Sequence, residues 1–486
     1  MEAPLESNVS PRSQPSMHFI VFSNVEKVDP VTRKLIRSHV MRGKKQKKVR
    51  PQTPARRPLP APIKLEDVVE TCAAIIPGRV GSDLSFIEFA DEVEPSLLLK
   101  MTKGRCPKCE VVRIKKRADG KTAVSPIAMQ VIFPLMATIG FQPDPRGTFY
   151  PLVYDAATLH ITAFAIDGFF SRILRRQSDG PSPAAMMHLR KGLKLLQERL
   201  LEEDDEKKIS DSTIGVVLKL ATTAHFDGEC ETSRQHMEGL RKMVDLRGGL
   251  KVFSGTKLAV EMIRCDLSIA VLHGSSAVLF CEPSEMEAYP ERMLRDPDEK
   301  KSFRNSNELI QTLSADLAIA WKVMERFCML VNLGAQTSRL LEPELIHQTM
   351  ASVLYRLIPM TFTIGSLDET LRNGLLAYSY HVFLQWKDIR FSRHQFPLNY
   401  RKLILEPGTA DKVPSRLMLW LLVIGANAFF KVADEVWLGD SLRKHARRCN
   451  VKSWKDMEGI LKSIMWMPLL DDKAGREVFD LFRLNE

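Results

Sequence analysis

Apolar residues recur every three or four positions through most of the chain from Pro126 onward. This spacing places them on one face of an α-helix, which turns once every 3.6 residues. Strand-like alternation is confined to a candidate hairpin at 111–124 and a short apolar run at 18–23. The pattern therefore predicts an all-α body. Its helices are predicted at 153–175, 184–203, 211–226, 231–247, 256–280, 306–332, 341–357, 367–388, 415–433, 453–468 and 473–484.

Glycine marks the ends of several predicted helices, because it readily adopts the left-handed conformation that often closes a helix. Asp227-Gly228 and Arg247-Gly248-Gly249 are the clearest stops. The longest apolar run, Leu417 to Phe430, is shorter than the roughly 18 residues that suggest a membrane span. We therefore predict that this run is a helix buried in the core.

Composition divides the chain into three parts. Residues 1–62 are polar, basic and Pro-rich, and they are predicted to form a disordered arm with a short helix and a Pro-rich linker. Residues 63–125 are predicted to be a linker region with one short helix and a turn between two cysteines. The large helical domain is predicted to cover 126–486. With Met1 to Ser16 polar, no signal-peptide pattern is visible, and we expect an intracellular soluble protein.

Charge is distributed very unevenly along the chain. Of its 70 basic residues, eleven lie between Arg33 and Arg57, where there is no Asp or Glu. Without these eleven, the rest of the chain has 59 basic and 59 acidic residues, so the net charge of +11 belongs to the segment from Arg33 to Arg57. The eleven are Arg33, Lys34, Arg37, Arg42, Lys44, Lys45, Lys47, Lys48, Arg50, Arg56 and Arg57.

The cations form two clusters, Lys44 to Lys48 and Arg56-Arg57. Two such clusters on a flexible chain are typical of a segment that a nuclear import receptor binds. The alternative is a solvated basic tail that binds nothing in particular. Arg33, Lys34, Arg37 and Arg42 lie on or beside the predicted short helix and could also contact DNA phosphates. Base readout is not expected, because no dimeric zipper or second helix braces this segment in a groove. We therefore expect any DNA affinity to be electrostatic and to reside in the arm, since the remainder offers no concentrated positive charge in sequence.

One pair of cysteines has a metal-like spacing, and common catalytic patterns are absent from the sequence. Cys106-Pro-Lys-Cys109 has the spacing of a zinc knuckle, but a structural site needs four ligands and the next of the eight cysteines is Cys230. A turn without zinc is the prediction. GxGxxG, HExxH and GxSxG patterns are absent. The acidic clusters at Glu202–Glu206 and Asp471-Asp472 fall at predicted helix ends, where solvated acids are expected. The sequence thus predicts neither a catalytic site nor a cofactor.

Five ordered segments carry a resemblance to a known family. They are RKLIRSHVMRGKKQKK (33–48), SDSTIGVVLKLA (210–221), HMEGLRKMVDLRGGL (236–250), LRNGLLAYSYHVFLQW (371–386) and SWKDMEGILKSIMWMPLLDDKAGREVFD (453–480). On these segments the chain resembles proteins with the fungal-specific transcription factor domain. It lacks the six-cysteine spacing of the binuclear zinc cluster with which many such proteins begin.

The resemblance implies a helical regulatory domain and a nuclear role in controlling transcription by RNA polymerase II. The expected partners are a nuclear import receptor, the transcription machinery or co-regulator proteins, and DNA through its phosphate backbone, with no membrane. A helical interaction scaffold without DNA-binding activity is the alternative. Read from its residues alone, HMEGLRKMVDLRGGL is mainly structural. Met237, Leu240, Met243 and Val244 are expected to bury one helical face, and Arg247 to cap carbonyls or pair with an acid.

Overall fold

The described part of the chain belongs to one unit. The structure is a computed structural model, and it describes residues 90–93, 135, 154–168, 181–280, 287–294, 311–386, 391, 393–406 and 413–483. The chain divides into units Met1–Pro62 and Ile63–Glu486, and every described residue lies in the second. The predicted arm, the predicted hairpin and the Cys106-Cys109 turn lie outside the described residues. The domain boundaries expected from the sequence therefore stay predictions.

Regular structure in the described residues is helical, without a β-strand, which confirms the predicted all-α class. The helices are α1 Ala156–Gly168, α2 Pro183–Leu201, α3 Asp205–Lys208, α4 Asp211–Phe226, α5 Cys230–Leu246, α6 Lys257–His273, α7 Glu291–Leu294, α8 Ala315–Thr337, α9 Pro343–Leu357, α10 Leu367–Ser379, α11 Gln395–Leu405, α12 Ser415–Ala428, α13 Val436–Arg448, α14 Trp454–Lys462 and α15 Pro468–Arg483. A 3₁₀ turn covers Leu250–Phe253, and a π-helical turn, Tyr380–Leu384, continues α10.

Side-chain caps explain where several helices begin. A Ser or Thr hydroxyl accepts a hydrogen bond from a backbone N–H of the first turn, which otherwise has no partner within the helix. This holds for the residues that precede α2, α4, α6, α10 and α14, namely Ser182, Ser210, Thr256, Ser366 and Ser453. Each such cap contributes about 1 kcal/mol to stability. The predicted stops after α4 and α5 are confirmed, and Gly228, Gly248 and Gly249 have positive φ there.

Helix α12 lies at the centre of the C-terminal half. Every residue from Leu417 to Ala428 is buried, which confirms the predicted core helix. Helices α10, α13, α14 and α15 pack around it. Where α10 approaches α12, a Cβ atom on Gly374 would collide with the Leu421 side chain and lie 3.1 Å from Trp420, so a larger residue there would require Leu421 to move.

The N-terminal half is joined to this core by α6. Helices α1, α2, α4 and α5 pack on one another, and α6 contacts α4 and α5 on one side and α9, α11 and the π turn on the other. Arg199 ties α2 to the start of α1 through an ion pair with Asp155, at 2.8 Å. Arg247 pairs with Asp211 at the start of α4 and lies 4.5 Å from the centre of the Phe253 ring. The predicted pairing of Arg247 with an acid is therefore confirmed.

The helices differ from the prediction in two respects. Helices α11 and α13 and the short helices α3 and α7 were not predicted, although α13 buries Leu438, Leu442 and Ala446 at helical spacing. The predicted helix at 453–468 ends at Lys462, and the next helix begins at Pro468 rather than 473. Proline fits the first position of a helix but not its interior, because it has no N–H to donate.

Candidate functional site

Exposed cations gather on the last turns of α13. Apolar spacing turns Leu438, Leu442 and Ala446 into the core, so the opposite side of the helix faces solvent. Lys444 and Arg448 lie on that side and are exposed. They are four residues apart, which places them as neighbours on one helical face.

Two further cations are brought to the same end of α13. The Ser415 hydroxyl, at the start of α12, hydrogen-bonds to His445 Nδ1 at 3.2 Å, which places exposed Arg416 beside the last turn of α13. Beyond the helix, the Val451 N–H donates to the Ala446 carbonyl at 2.9 Å and folds the chain back. Exposed Lys452 follows directly. We call the four cations Arg416, Lys444, Arg448 and Lys452 the basic face.

Electrostatic effects on neighbouring groups support this placement. Burial, with the charges of Lys444 and Arg448, lowers the pKa of His445 to about 4, so its imidazole is neutral at pH 7. Burial raises the pKa of the Cys449 thiol, and the positive charge of Arg416 acts in the opposite direction. His445 and Cys449 therefore lie within the field of cations from both α12 and α13.

Few acids among the described residues act on the basic face. None of the ion pairs among the described residues involves Arg416, Lys444, Arg448 or Lys452. Among the described acids close to it in sequence, Asp440 pairs with Arg443 at 2.5 Å. The Asp456 carboxylate accepts from the backbone N–H groups of Lys452 and Ser453, and the positive charge of Lys452 contributes to lowering the pKa of Asp456. Asp456 thus offsets part of the charge of Lys452, whereas Arg416, Lys444 and Arg448 form no ion pair among the described residues.

A buried polar network lies elsewhere in the C-terminal half, around Asp471 of α15. Its carboxylate accepts hydrogen bonds from the Met467 N–H at 2.7 Å and the Tyr378 hydroxyl at 3.2 Å, and His381 Nε2 lies 2.8 Å away. The side chain of Asp471 is fully buried. The expectation that this acid is solvated at a helix end is therefore wrong, because α15 packs it against α10 and its π turn.

Hydrogen bonding fixes the roles in this network. Gln385 donates from Nε2 to the carbonyls of Asn427 and Ala428, so its Oε1 faces His381 Nδ1, which must carry a hydrogen. On the other side of the ring, His381 Nε2 lies 2.8 Å from the Asp471 carboxylate. The network joins α10, α12 and α15 and leaves none of these groups facing solvent as a base.

Cys328 of α8 borders this network and a cleft of about 250 Å³. Its thiol donates to the Tyr378 hydroxyl at 3.5 Å, and burial raises its pKa, so it is not a thiolate nucleophile at pH 7. Asn332 and Lys462 in the cleft wall are already bonded, to the Trp466 carbonyl and to Glu458 respectively. Asn332 thus joins α8 to the segment before α15, and Lys462 pairs within α14.

Three histidines meet where α4 and α6 end and α11 begins. The ring centre of His273 lies 5.6 Å from that of His225 and 5.0 Å from that of His394. Burial, together with the neighbouring imidazoles, lowers the pKa of His225 to about 3 and that of His273 to about 4. The cluster is thus neutral at pH 7. Within the described ranges, no group of three or more His, Cys, Asp or Glu side chains is placed to hold a metal ion.

The eleven predicted import and nucleic-acid residues, Arg33 to Arg57, lie outside the described residues, as do Cys106 and Cys109. The basic face was missed at the sequence level, although a signal is present. From Ser441 to Lys455 there are six Lys or Arg and no acid. The whole-chain balance concealed this second run, because acids elsewhere offset it in the sum.

Comparison with known proteins found no family model, no curated protein and no solved structure that matches the chain. The resemblance to fungal transcription factors therefore remains an expectation. No helix in the part of the chain that the structure describes combines the length and apolar character needed to cross a membrane.

Proposed function

We propose that the protein is a nuclear regulator of RNA polymerase II transcription, with a basic arm for import and a helical regulatory body. The resemblance of five ordered segments, 33–48 through 453–480, suggests this role. Import places the protein where DNA is, and the arm supplies contact with backbone phosphates. Partners among the transcription machinery or co-regulators bind the helical body. No reaction is assigned to it.

The observation that carries this proposal is the segregation of charge. Eleven cations and no acid lie between Arg33 and Arg57, whereas the rest of the chain is balanced at 59 basic and 59 acidic residues. A block this concentrated has a strong local potential and favours an anionic or receptor partner. The basic face on α12 and α13 adds a second positive surface on the body.

The rival function is a helical scaffold that acts through protein partners alone. The positive surfaces favour the regulator, because a scaffold needs no unpaired cations. Transcript levels distinguish the two functions. Loss of a regulator changes the transcript levels of a defined gene set, whereas loss of a scaffold without a role in transcription leaves them unchanged.

The arm is tested with a fluorescent reporter fused to residues 33–57. We expect the fusion to concentrate in nuclei, because import receptors bind extended basic segments through acidic pockets. Replacing Lys44, Lys45, Lys47 and Lys48 with alanine should weaken accumulation. The matched control replaces Thr53 and Gln52 with alanine and should leave it unchanged.

A reporter that remains evenly distributed between nucleus and cytoplasm would refute the assigned import role. Transcript profiling of cells that lack the protein then tests regulation itself. Unchanged transcripts together with nuclear accumulation would favour the scaffold.

A further inference from the structure

We propose that the basic face (Arg416, Lys444, Arg448 and Lys452) binds the backbone phosphates of duplex nucleic acid independently of the arm. The choice of nucleic acid rests on the proposed function, whereas the positive surface itself does not. This inference changes the division of labour expected from the sequence, which assigned all DNA affinity to the arm.

The first step is the state of the cations. Lys444, Arg448 and Arg416 are exposed and form no ion pair among the described residues. Each can therefore approach a phosphate without first breaking an internal contact. Arg presents a planar fork that matches phosphate oxygens, and Lys supplies a point charge.

The second step is the number of charges. Cations in the last turn of a helix are stabilising, because they offset the negative end of the helix dipole. That effect accounts for Lys444 and Arg448, which lie in or next to the last turn of α13. It does not account for Arg416, which lies at the start of α12, where a cation is unfavourable, nor for Lys452 beyond the helix.

The third step is the absence of apolar surface. From Trp437 to Pro468, all within the described residues, no large apolar side chain is exposed. Exposed Val436 lies at the opposite end of α13 from Arg448, and exposed Leu469 lies in the first turn of α15. A membrane-binding surface needs apolar residues to insert, and protein interfaces have an apolar or aromatic centre. Protein–nucleic acid interfaces are instead polar and strongly positive. The surface chemistry therefore favours a phosphate backbone.

The fourth step is selectivity. Phosphate contacts carry no sequence information, because every base pair presents the same backbone. Nothing in the basic face is placed on a free helix that could enter a major groove, since α13 packs on α12 and α15. We therefore expect binding with little discrimination between sequences.

The experiment measures binding of the full-length protein to two unrelated DNA duplexes by fluorescence anisotropy. Salt is varied between about 50 and 200 mM. Three variants are compared with the unaltered chain. The face variant combines Arg416→Ala, Lys444→Ala and Arg448→Ala; the arm variant combines Lys44→Ala, Lys45→Ala, Lys47→Ala and Lys48→Ala; the control variant combines Lys242→Ala, Lys322→Ala and Lys402→Ala, three exposed cations elsewhere on the body.

The slope of log affinity against log salt is negative, and each lost phosphate contact makes it shallower by about 0.9. The face variant should therefore have a slope shallower by about 3, for both duplexes. Between the two salt concentrations, the fold decrease in its affinity should be about 40 times smaller than that of the unaltered protein. The control variant, with the same change in net charge, should keep the original slope.

The proposal is overturned if the face variant and the control variant behave alike, or if the unaltered protein does not bind duplexes. It is also overturned if the face variant loses binding to phosphatidylserine vesicles while duplex binding is unchanged. Folding is checked by circular dichroism and thermal unfolding. A second variant, Lys444→Arg with Arg448→Lys, keeps both charges and should retain the slope.

The outcome is separable from the test of the proposed function. A face that fails leaves the nuclear reporter result standing, because that reporter contains only residues 33–57. A reporter that fails to enter nuclei leaves the salt slope of the full-length protein standing, because that slope is measured in vitro.

Discussion

Replacing Asp471 with alanine should destabilise the protein severely. Nothing in the sequence distinguishes this acid from its neighbour Asp472. Its fully buried carboxylate accepts hydrogen bonds from the Met467 N–H and the Tyr378 hydroxyl and bonds to His381 Nε2. Alanine removes the shared acceptor of all three groups, and Tyr378 and His381 keep only their contacts with Cys328 and Gln385. Burial of a polar group without a hydrogen bond is unfavourable, because its interaction with water is not replaced.

The size of the effect follows from these contacts. Each buried group left unsatisfied costs about 1–3 kcal/mol, and water entering the space recovers part of that. We therefore expect a loss of about 4 kcal/mol in the free energy of unfolding. Because folded domains are stable by about 5–15 kcal/mol, this is a large fraction of the total. Asp471→Asn keeps the volume and one acceptor and should lose about half as much.

The assay is urea unfolding followed by circular dichroism. The matched control is Asp480→Ala, an exposed acid on the same helix, which should change stability by less than about 0.5 kcal/mol. If Asp471→Ala were no more destabilising than Asp480→Ala, the hydrogen-bond network around Asp471 would not be a source of stability.

The remaining predictions concern packing and pH. Gly475→Ala should lower the melting temperature, because the added Cβ would lie 2.7 Å from Trp466 and 3.0 Å from Trp454. The control is Gly459→Ala, whose added Cβ would meet nothing within 4 Å. It should be neutral or stabilising, because alanine has a better helix propensity than glycine. Stability should also fall as the pH is lowered from about 6.5. Burial holds the folded-state pKa of His225 to about 3, below its unfolded value, so acid protonates the unfolded state first. At pH 5 this one group should lower the free energy of unfolding by about 2 kcal/mol relative to pH 7. Urea unfolding of His225→Asn at both pH values should show a smaller difference, and an equal difference would contradict burial of a neutral imidazole.

Helices with a strong apolar face could be predicted from the sequence. Helix α4 has the predicted bounds, 211–226, because its apolar spacing, its Ser210 cap and the Gly228 stop all agree. The buried helix α12 followed from an uninterrupted apolar run. Agreement of local signals is what makes such segments predictable.

Helix α13 was missed for a physical reason that also concealed the candidate site. Its buried residues are few, Gly439 interrupts them, and cations dominate its last turns. Packing against α12 stabilises a helix that its own composition favours only weakly. A local count of charges from Ser441 to Lys455 would have found the cations, whereas the balance over the whole chain could not.

The network around Asp471 could not be predicted. Asp471 and Asp472 are adjacent and chemically identical, yet Asp471 is fully buried and Asp472 is half-buried with a bond to Trp466. Their difference depends on how α15 packs against α10, about 90 residues away in sequence, and no local pattern records that contact.

Nuclear transcriptional regulation, the central claim, is tested most directly by a genome-wide map of chromatin occupancy for the full-length protein. We predict reproducible occupancy near the genes whose transcripts change when the protein is lost, and reduced occupancy for the Arg416→Ala, Lys444→Ala, Arg448→Ala variant. An occupancy map indistinguishable from that of a nuclear protein without DNA-binding activity would contradict the claim and favour the scaffold.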